Sequence, residues 1–139
     1  MRLLDLGDLT HDQEAKLVCP VNKLGKIDIF IVSHHGWMQR DSPALVYGIA
    51  PRVAIMDNGA KKGGSPPVWD TISKSSNLEG FWQLHYSEEG GAAHNGAEEF
   101  IANPNGPDAG NYLQLTVRPN GSFAVFNSRT EKTTEYPAR

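Results

Sequence analysis

A layered α/β domain ending in a β-hairpin is the fold class this sequence predicts (α+β in schemes that weigh the hairpin separately). Three observations predict it. Short apolar runs recur at residues 1–6, 26–33, 52–56 and 81–86, most of them rich in Ile, Val and Phe. Segments with helix-start chemistry stand between them, and this alternation implies a layered sheet with ligands at the strand ends. The chain then closes on two alternating segments joined by Pro119-Asn120-Gly121, where Asn-Gly supplies a hairpin turn.

The elements follow in order. Residues 1–6 are short and apolar and stop at Gly7-Asp8, as a strand does when it ends in a functional loop. Thr10 and Gln13 have the spacing of a capping box, and the short helix they open, over 14–18, is terminated by Pro20 and Asn22. Residues 26–33 read as a buried strand running directly into His34-His35-Gly36. Ser42 caps a second helix with Pro43 at its first position, and Pro51 ends it. The strand at 52–56 closes on Asp57-Asn58-Gly59, followed by a loop over 60–66, a third helix over 67–73 and a strand over 81–86. Residues 87–95 make a polar loop and 97–101 a helical turn. The domain division is therefore 1–102 as the layered body, 103–111 as a Pro/Gly/Asn linker loop, and 112–139 as a terminal hairpin and tail packed on the same body. The hairpin strands are 112–118 and 122–127. There is no internal repeat and no low-complexity segment.

Bulk properties exclude several function classes. A chain of 139 residues, 39% hydrophobic, is one domain's worth and can bury a moderate core. Its formal charge of −3, with Lys and Arg scattered, leaves no electrostatic footprint for nucleic acid. The longest apolar stretch, near 27–33, is too short to span a bilayer, and the first residues lack the pattern of a signal peptide. The compartment stays open. Cys19 is the only cysteine, which rules out an intramolecular disulfide and a cysteine-based zinc cage.

Two strand ends present metal-competent groups. Asp8 is a carboxylate just past one strand and just before a helix; His34 and His35 are two imidazoles at the end of another. An Asp oxygen can bridge two divalent cations, and neutral imidazole is the commonest zinc donor. Two metals about 3.5–4 Å apart can activate a bridging water and stabilise a leaving oxygen. Taken singly, each feature also suits a loop carboxylate or a structural histidine pair.

Taken in order, they are more specific. Leu6-Gly7-Asp8, Glu14-Ala15 in an acidic helix, the apolar strand at 27–33, His34-His35-Gly36, Ser42-Pro43 and Pro51-Arg52-Val53-Ala54-Ile55 follow one another. This order resembles the second half of the metallo-β-lactamase superfamily, closest to the hydrolase domain of bacterial competence DNA-uptake channels, over residues 1–86. The resemblance implies the C-terminal half of an αββα sandwich, with zinc as cofactor and two divalent ions in the complete family site. It implies hydrolysis by a metal-activated water at a phosphodiester, ester or amide, with a small-molecule or phosphoester substrate. It makes Asp8 the metal-bridging carboxylate. It makes one of the two histidines the last ligand of the second metal, and His35 is favoured because members with a single histidine here carry it directly before the glycine. His34 then faces the substrate as a hydrogen-bond donor or proton carrier, acting with Asp8 in catalysis. In a strand the two side chains leave on opposite faces, so both do not easily bind one ion.

The departures from the family pattern matter as much. The family's main metal motif, His-x-His-x-Asp-His, does not occur in this chain, and His11, His85 and His94 do not stand in the spacing of its separate histidine. Since each zinc takes about four ligands, the expectation is a truncated form that binds zinc poorly and is inactive alone. The competing expectation is a catalytically inactive half-domain acting as a binding or self-association module. Half a sandwich exposes an apolar sheet face, to be covered by a second copy or by the missing N-terminal half.

Asn58, Lys61, Lys62 and His85 are a candidate substrate rim. The glycine-rich segment 58–65 lacks the Gly-x-x-x-x-Gly-Lys-Ser/Thr spacing of a P-loop, so Lys61 or Lys62 would meet an anionic substrate only as a rim, the alternative being a plain mobile loop. His85 alternatively is anchored by a backbone hydrogen bond; His94 reads as a turn feature and His11 as solvated. Trp37, Trp69, Trp82 and Phe81 read as core or interface residues, because no basic groove accompanies them.

Overall fold

Apolar residues two apart along each strand share one face of a sheet, and neighbouring strands here bring those positions into register. Phe30, Ala54 and Phe81 lie side by side on one face, while Ile31, Ile55 and Trp82 lie side by side on the other. The structure is a computed structural model and describes residues 1–38 and 42–139. Its elements are β1 (Leu3–Asp5), α1 (His11–Val18), β2 (Ile29–Ile31), α2 (Pro43–Ile49), β3 (Val53–Met56), α3 (Pro66–Ser73), β4 (Gly80–His85) and β5 (Ile101–Asn103). The first five strands form one sheet in the order β1-β2-β3-β4-β5, and every pairing is parallel. The α/β class stands.

The helices start and stop where local chemistry dictates. At α1, the Gln13 Oε1 reaches back to accept from the Thr10 backbone N–H at 2.9 Å. At α2, the Ser42 hydroxyl accepts from the Leu45 N–H at 3.1 Å, Pro43 takes the first turn, and Ala50 closes the helix in a left-handed conformation. Val18, Leu45, Val46, Ile49, Val68 and Ile72 from these helices all pack on the sheet face that carries Phe30, Ala54 and Phe81. The helices therefore share one side.

The opposite face is covered by the end of the chain. Three strands, β6 (Leu113–Val117), β7 (Phe123–Asn127) and β8 (Lys132–Tyr136), form an antiparallel sheet in that order. Phe123, Val125 and Tyr136 bury against Ile29, Val53 and Trp82, and the Trp82 Nε1–H donates to the Tyr136 hydroxyl at 3.0 Å. This corrects the expectation of a bare apolar sheet face at this position, since the chain's own C-terminal strands cover it. The tail beyond the hairpin is also a strand, β8. Its sequence, Lys-Thr-Thr-Glu-Tyr, is polar because it turns only Thr134 and Tyr136 inward. Residues 103–111 begin with strand rather than linker: Asn103 ends β5, and its side chain donates to the Leu84 and Asn111 carbonyls and accepts from the Asn111 N–H. The strand expected over 26–33 is paired over Ile29–Ile31 only.

At the amino-terminal ends of the strands, Arg52 is buried beneath the second sheet. Its guanidinium donates two hydrogen bonds to Glu79 (3.0 and 2.9 Å) and one to the Pro137 carbonyl (3.0 Å), and it lies 5.4 Å from the Phe123 ring centre. Arg139 also pairs with Glu79, so both ends of this network lie on the C-terminal segment. No helix among the described residues is long and apolar enough to cross a membrane.

Candidate functional site

Three loops meet at the carboxyl ends of β1, β2 and β3. After β1 the chain turns through Gly7 into Asp8; after β2 it enters a tight helical turn over Ser33–Gly36; after β3 it runs through Asp57 into the glycine-rich segment. The histidines do not continue the strand. Both occupy the left-handed region, His34 at φ 48° and ψ 41° and His35 at φ 60° and ψ 18°. For a residue with a Cβ each such position costs about 1–2 kcal/mol, so two in a row need support from the surroundings.

That support comes from backbone hydrogen bonds on both sides. The His34 N–H donates to the Gly7 carbonyl at 3.0 Å, tying the turn to the loop that carries Asp8. The Gly64 N–H donates to the His35 carbonyl and the Ser65 N–H to the Gly36 carbonyl, each at 2.9 Å. Gly63 packs so closely that a Cβ there would overlap the His35 carbonyl. The glycine-rich segment is therefore a brace beneath the histidine turn, and Gly63 is required for its contact with the His35 backbone.

The side chains fall into two pairs. Asp8 Oδ1 lies 4.0 Å from His34 Nδ1, with Asp8 71% and His34 23% exposed. Asp57 Oδ2 lies 3.2 Å from His35 Nδ1, with His35 34% exposed. The two imidazoles meet edge to face with centres 6.1 Å apart, and Trp37 packs edge-on against His34 at 5.6 Å. His34 and His35 sit in a turn and not in a strand, so their side chains are not held to opposite faces as expected. Asp57 is the site residue that sequence reasoning missed. Its position follows from register: Ile31 of β2 is paired with Ile55 of β3, which brings the two strand ends side by side.

The other predicted residues stand apart from these pairs. Asn58 is fully buried, and its side-chain amide donates to the His85 carbonyl at 2.8 Å. His85 Nδ1 lies 2.7 Å from the Asn58 carbonyl and its Nε2 3.4 Å from Asp108, which matches the backbone-anchored reading. Asp108 is held below the usual carboxylate range, first by the Gly110 N–H and then by His85. Lys61 is exposed and lies 4.0 Å from Glu88; Lys62 is also exposed. Between the strand ends and the loop over 104–110, a hollow of about 280 Å³ is lined by His85, Tyr86, Glu88, Asn105 and Asp108, with Gly59 and Ala60 on its near wall. His94 lies 3.8 Å from Asp70, and His11 lies 3.8 Å from Asp12 on the surface.

The zinc implied by the resemblance can be tested against this donor set. Each carboxylate–imidazole pair offers two donors, against the about four that a zinc ion takes. Among the described residues no three His, Cys, Asp or Glu side chains stand close enough together to hold one ion. The described residues do not fit a complete zinc site by themselves. Protein-family models, curated proteins and solved structures were compared with this chain, and none matches it.

Proposed function

We propose that this chain carries one half of the active site of a metal-dependent hydrolase of the metallo-β-lactamase fold. The observation that carries the reading is the histidine turn. Two consecutive imidazoles are held in a costly left-handed backbone at the carboxyl end of a parallel sheet, each with a carboxylate at 4.0 Å or less. Strain of this kind concentrates where a site needs side chains in fixed directions, and the carboxyl ends of parallel strands are where α/β proteins bind ligands. The ordered motifs from Leu6 to Ile55 support the same reading. In the family, two zinc ions supply a metal-activated water for attack on a phosphodiester, ester or amide. Here Asp8 and one or both of His34 and His35 would be this chain's contribution, and a second polypeptide segment would bring the remaining donors.

The direct test is zinc titration of the full chain, followed through the ring signals of its histidines. Zinc should move the His34 and His35 signals before those of His11, His85 and His94, with weak affinity. Asp8→Ala should weaken that response tenfold or more, and the chain alone should leave bis(4-nitrophenyl) phosphate intact. Zinc that moves the other histidines while leaving His34 and His35 unchanged would sink the proposal. A second reading, a binding or self-association module without catalysis, is favoured by one observation, the shortage of donors around any single point among the described residues. It requires His34 and His35 to ignore zinc.

A further inference from the structure

We infer that Asp57 is a positioning residue for His35: it holds the imidazole proton on Nδ1 and so leaves Nε2 bare towards the space over the strand ends. This deepens the hydrolase reading by naming the group that aims one of its imidazoles. Where the proton sits, however, can be measured whether or not that reading holds.

Three observations on the ring lead to this. First, His35 Nδ1 is buried although the side chain as a whole is a third exposed, so the exposed edge is the one away from Nδ1. Second, that buried nitrogen makes no hydrogen bond of good geometry, and a buried polar group left unpaired is costly. Asp57 Oδ2 stands 3.2 Å away on a half-exposed side chain, which has room to turn onto the N–H line. A bare Nδ1 would instead face the carboxylate lone pair to lone pair, which is repulsive. The proton therefore belongs on Nδ1. Third, the backbone that carries the ring is fixed beside this partner. The His35 carbonyl is fixed by the Gly64 N–H, and Gly63 lies against both the carbonyl and the Cβ.

A carboxylate behind an imidazole fixes the tautomer and ring direction; in metal sites, losing such a partner costs about 10–100-fold in affinity. Asp57 stands in that relation to His35.

The test is the tautomeric state of His35 in the full chain, read from long-range proton–nitrogen correlation spectra at about pH 8, where an ordinary histidine is neutral. The unmodified chain should show His35 with its proton on Nδ1. Asp57→Ala should shift the population towards the proton on Nε2, which free histidine favours. Asp57→Asn, which keeps an acceptor, should restore the Nδ1–H form. His85 is the internal control for the fold, because the Asn58 carbonyl holds its own Nδ1 proton and should do so in all three proteins. A His35 that carries its proton on Nε2 in the unmodified chain overturns the inference, even if Asp57→Ala fails to fold. So does an Nδ1–H form that persists in Asp57→Ala while His85 is unchanged. Loss of the zinc response with this tautomer pattern intact removes the hydrolase reading alone.

Discussion

Arg52 shows how one buried charge secures the end of the chain. Its planar fork meets both oxygens of Glu79, its third bond reaches the Pro137 carbonyl, and Phe123 lies under the guanidinium. Removing Arg52 leaves Glu79 with only the half-exposed Arg139, so Arg52→Ala should cost about 3 kcal/mol in urea denaturation. Arg52→Lys should recover only part of this, because an ammonium cannot make the two-pronged contact. The pH dependence has a definite sign. Hydrogen bonding from Arg52 holds the Glu79 carboxyl below its ordinary 4.5, with burial opposing. A carboxyl depressed in the folded state stabilises the fold above its unfolded value and loses that contribution as pH falls through the folded one. Between pH 4.5 and the lower folded value the unmodified chain should therefore lose stability more steeply than Arg52→Ala, as denaturation at a series of acid pH values would show. Tyr136 answers for the opposite end of the scale. Burial pushes its phenol above the ordinary value of 10.0 against the hydrogen bond from Trp82. Its contribution is complete below pH 10.0 and is lost as pH rises through the folded value. Tyr136→Phe would leave the buried Trp82 N–H without its acceptor, a loss of about 1–3 kcal/mol by thermal or urea unfolding.

Among the elements, the glycine-rich brace makes the sharpest prediction. Gly63 and Gly91 both have positive φ, 80° and 57°, but only at Gly63 would an added Cβ meet another part of the chain. Gly91→Ala should cost about 1 kcal/mol for the left-handed backbone alone. Gly63→Ala adds an overlap with the His35 carbonyl and should cost at least about 2 kcal/mol, with the His34 and His35 signals displaced. Equal costs for the two would mean that the brace does not hold the histidine turn. The same elements show what could be read from the residues alone. The β-α alternation and the caps at Thr10 and Ser42 were legible because they depend on residues within one turn of each other. That Asp8 and the histidine pair stand at neighbouring strand ends was legible from the order of the segments. Asp57 was not, because its role depends on β3 lying beside β2, a contact between residues far apart in sequence. The left-handed turn was hidden for another reason: the backbone there is held by its neighbours, against the preference of histidine. Strands β5 and β8 escaped because one is three residues long and the other is mostly polar.

At the scale of the whole molecule, the second sheet closes the core. Phe123, Val125 and Tyr136 each contribute about 1.5–3 kcal/mol by burial, so a chain ending at Thr130, without β8, should expose Trp82 and Phe123. Dye binding to apolar surface should rise and gel filtration should show larger species; unchanged dye binding and elution would mean that β8 contributes little. The order of the parallel sheet has its own consequence. Strands one to five lie side by side in the order in which they are made, with the helices together on one flank. A sheet wound in this way never reverses direction, so no cleft opens between diverging crossovers as it does in doubly wound proteins. Concavity above its strand tips has to be sculpted by loops or by another polypeptide laid across them. Replacing the segment over 104–110 should therefore reshape the cup beside His85 while leaving Asp8, His34, His35 and Asp57 in place.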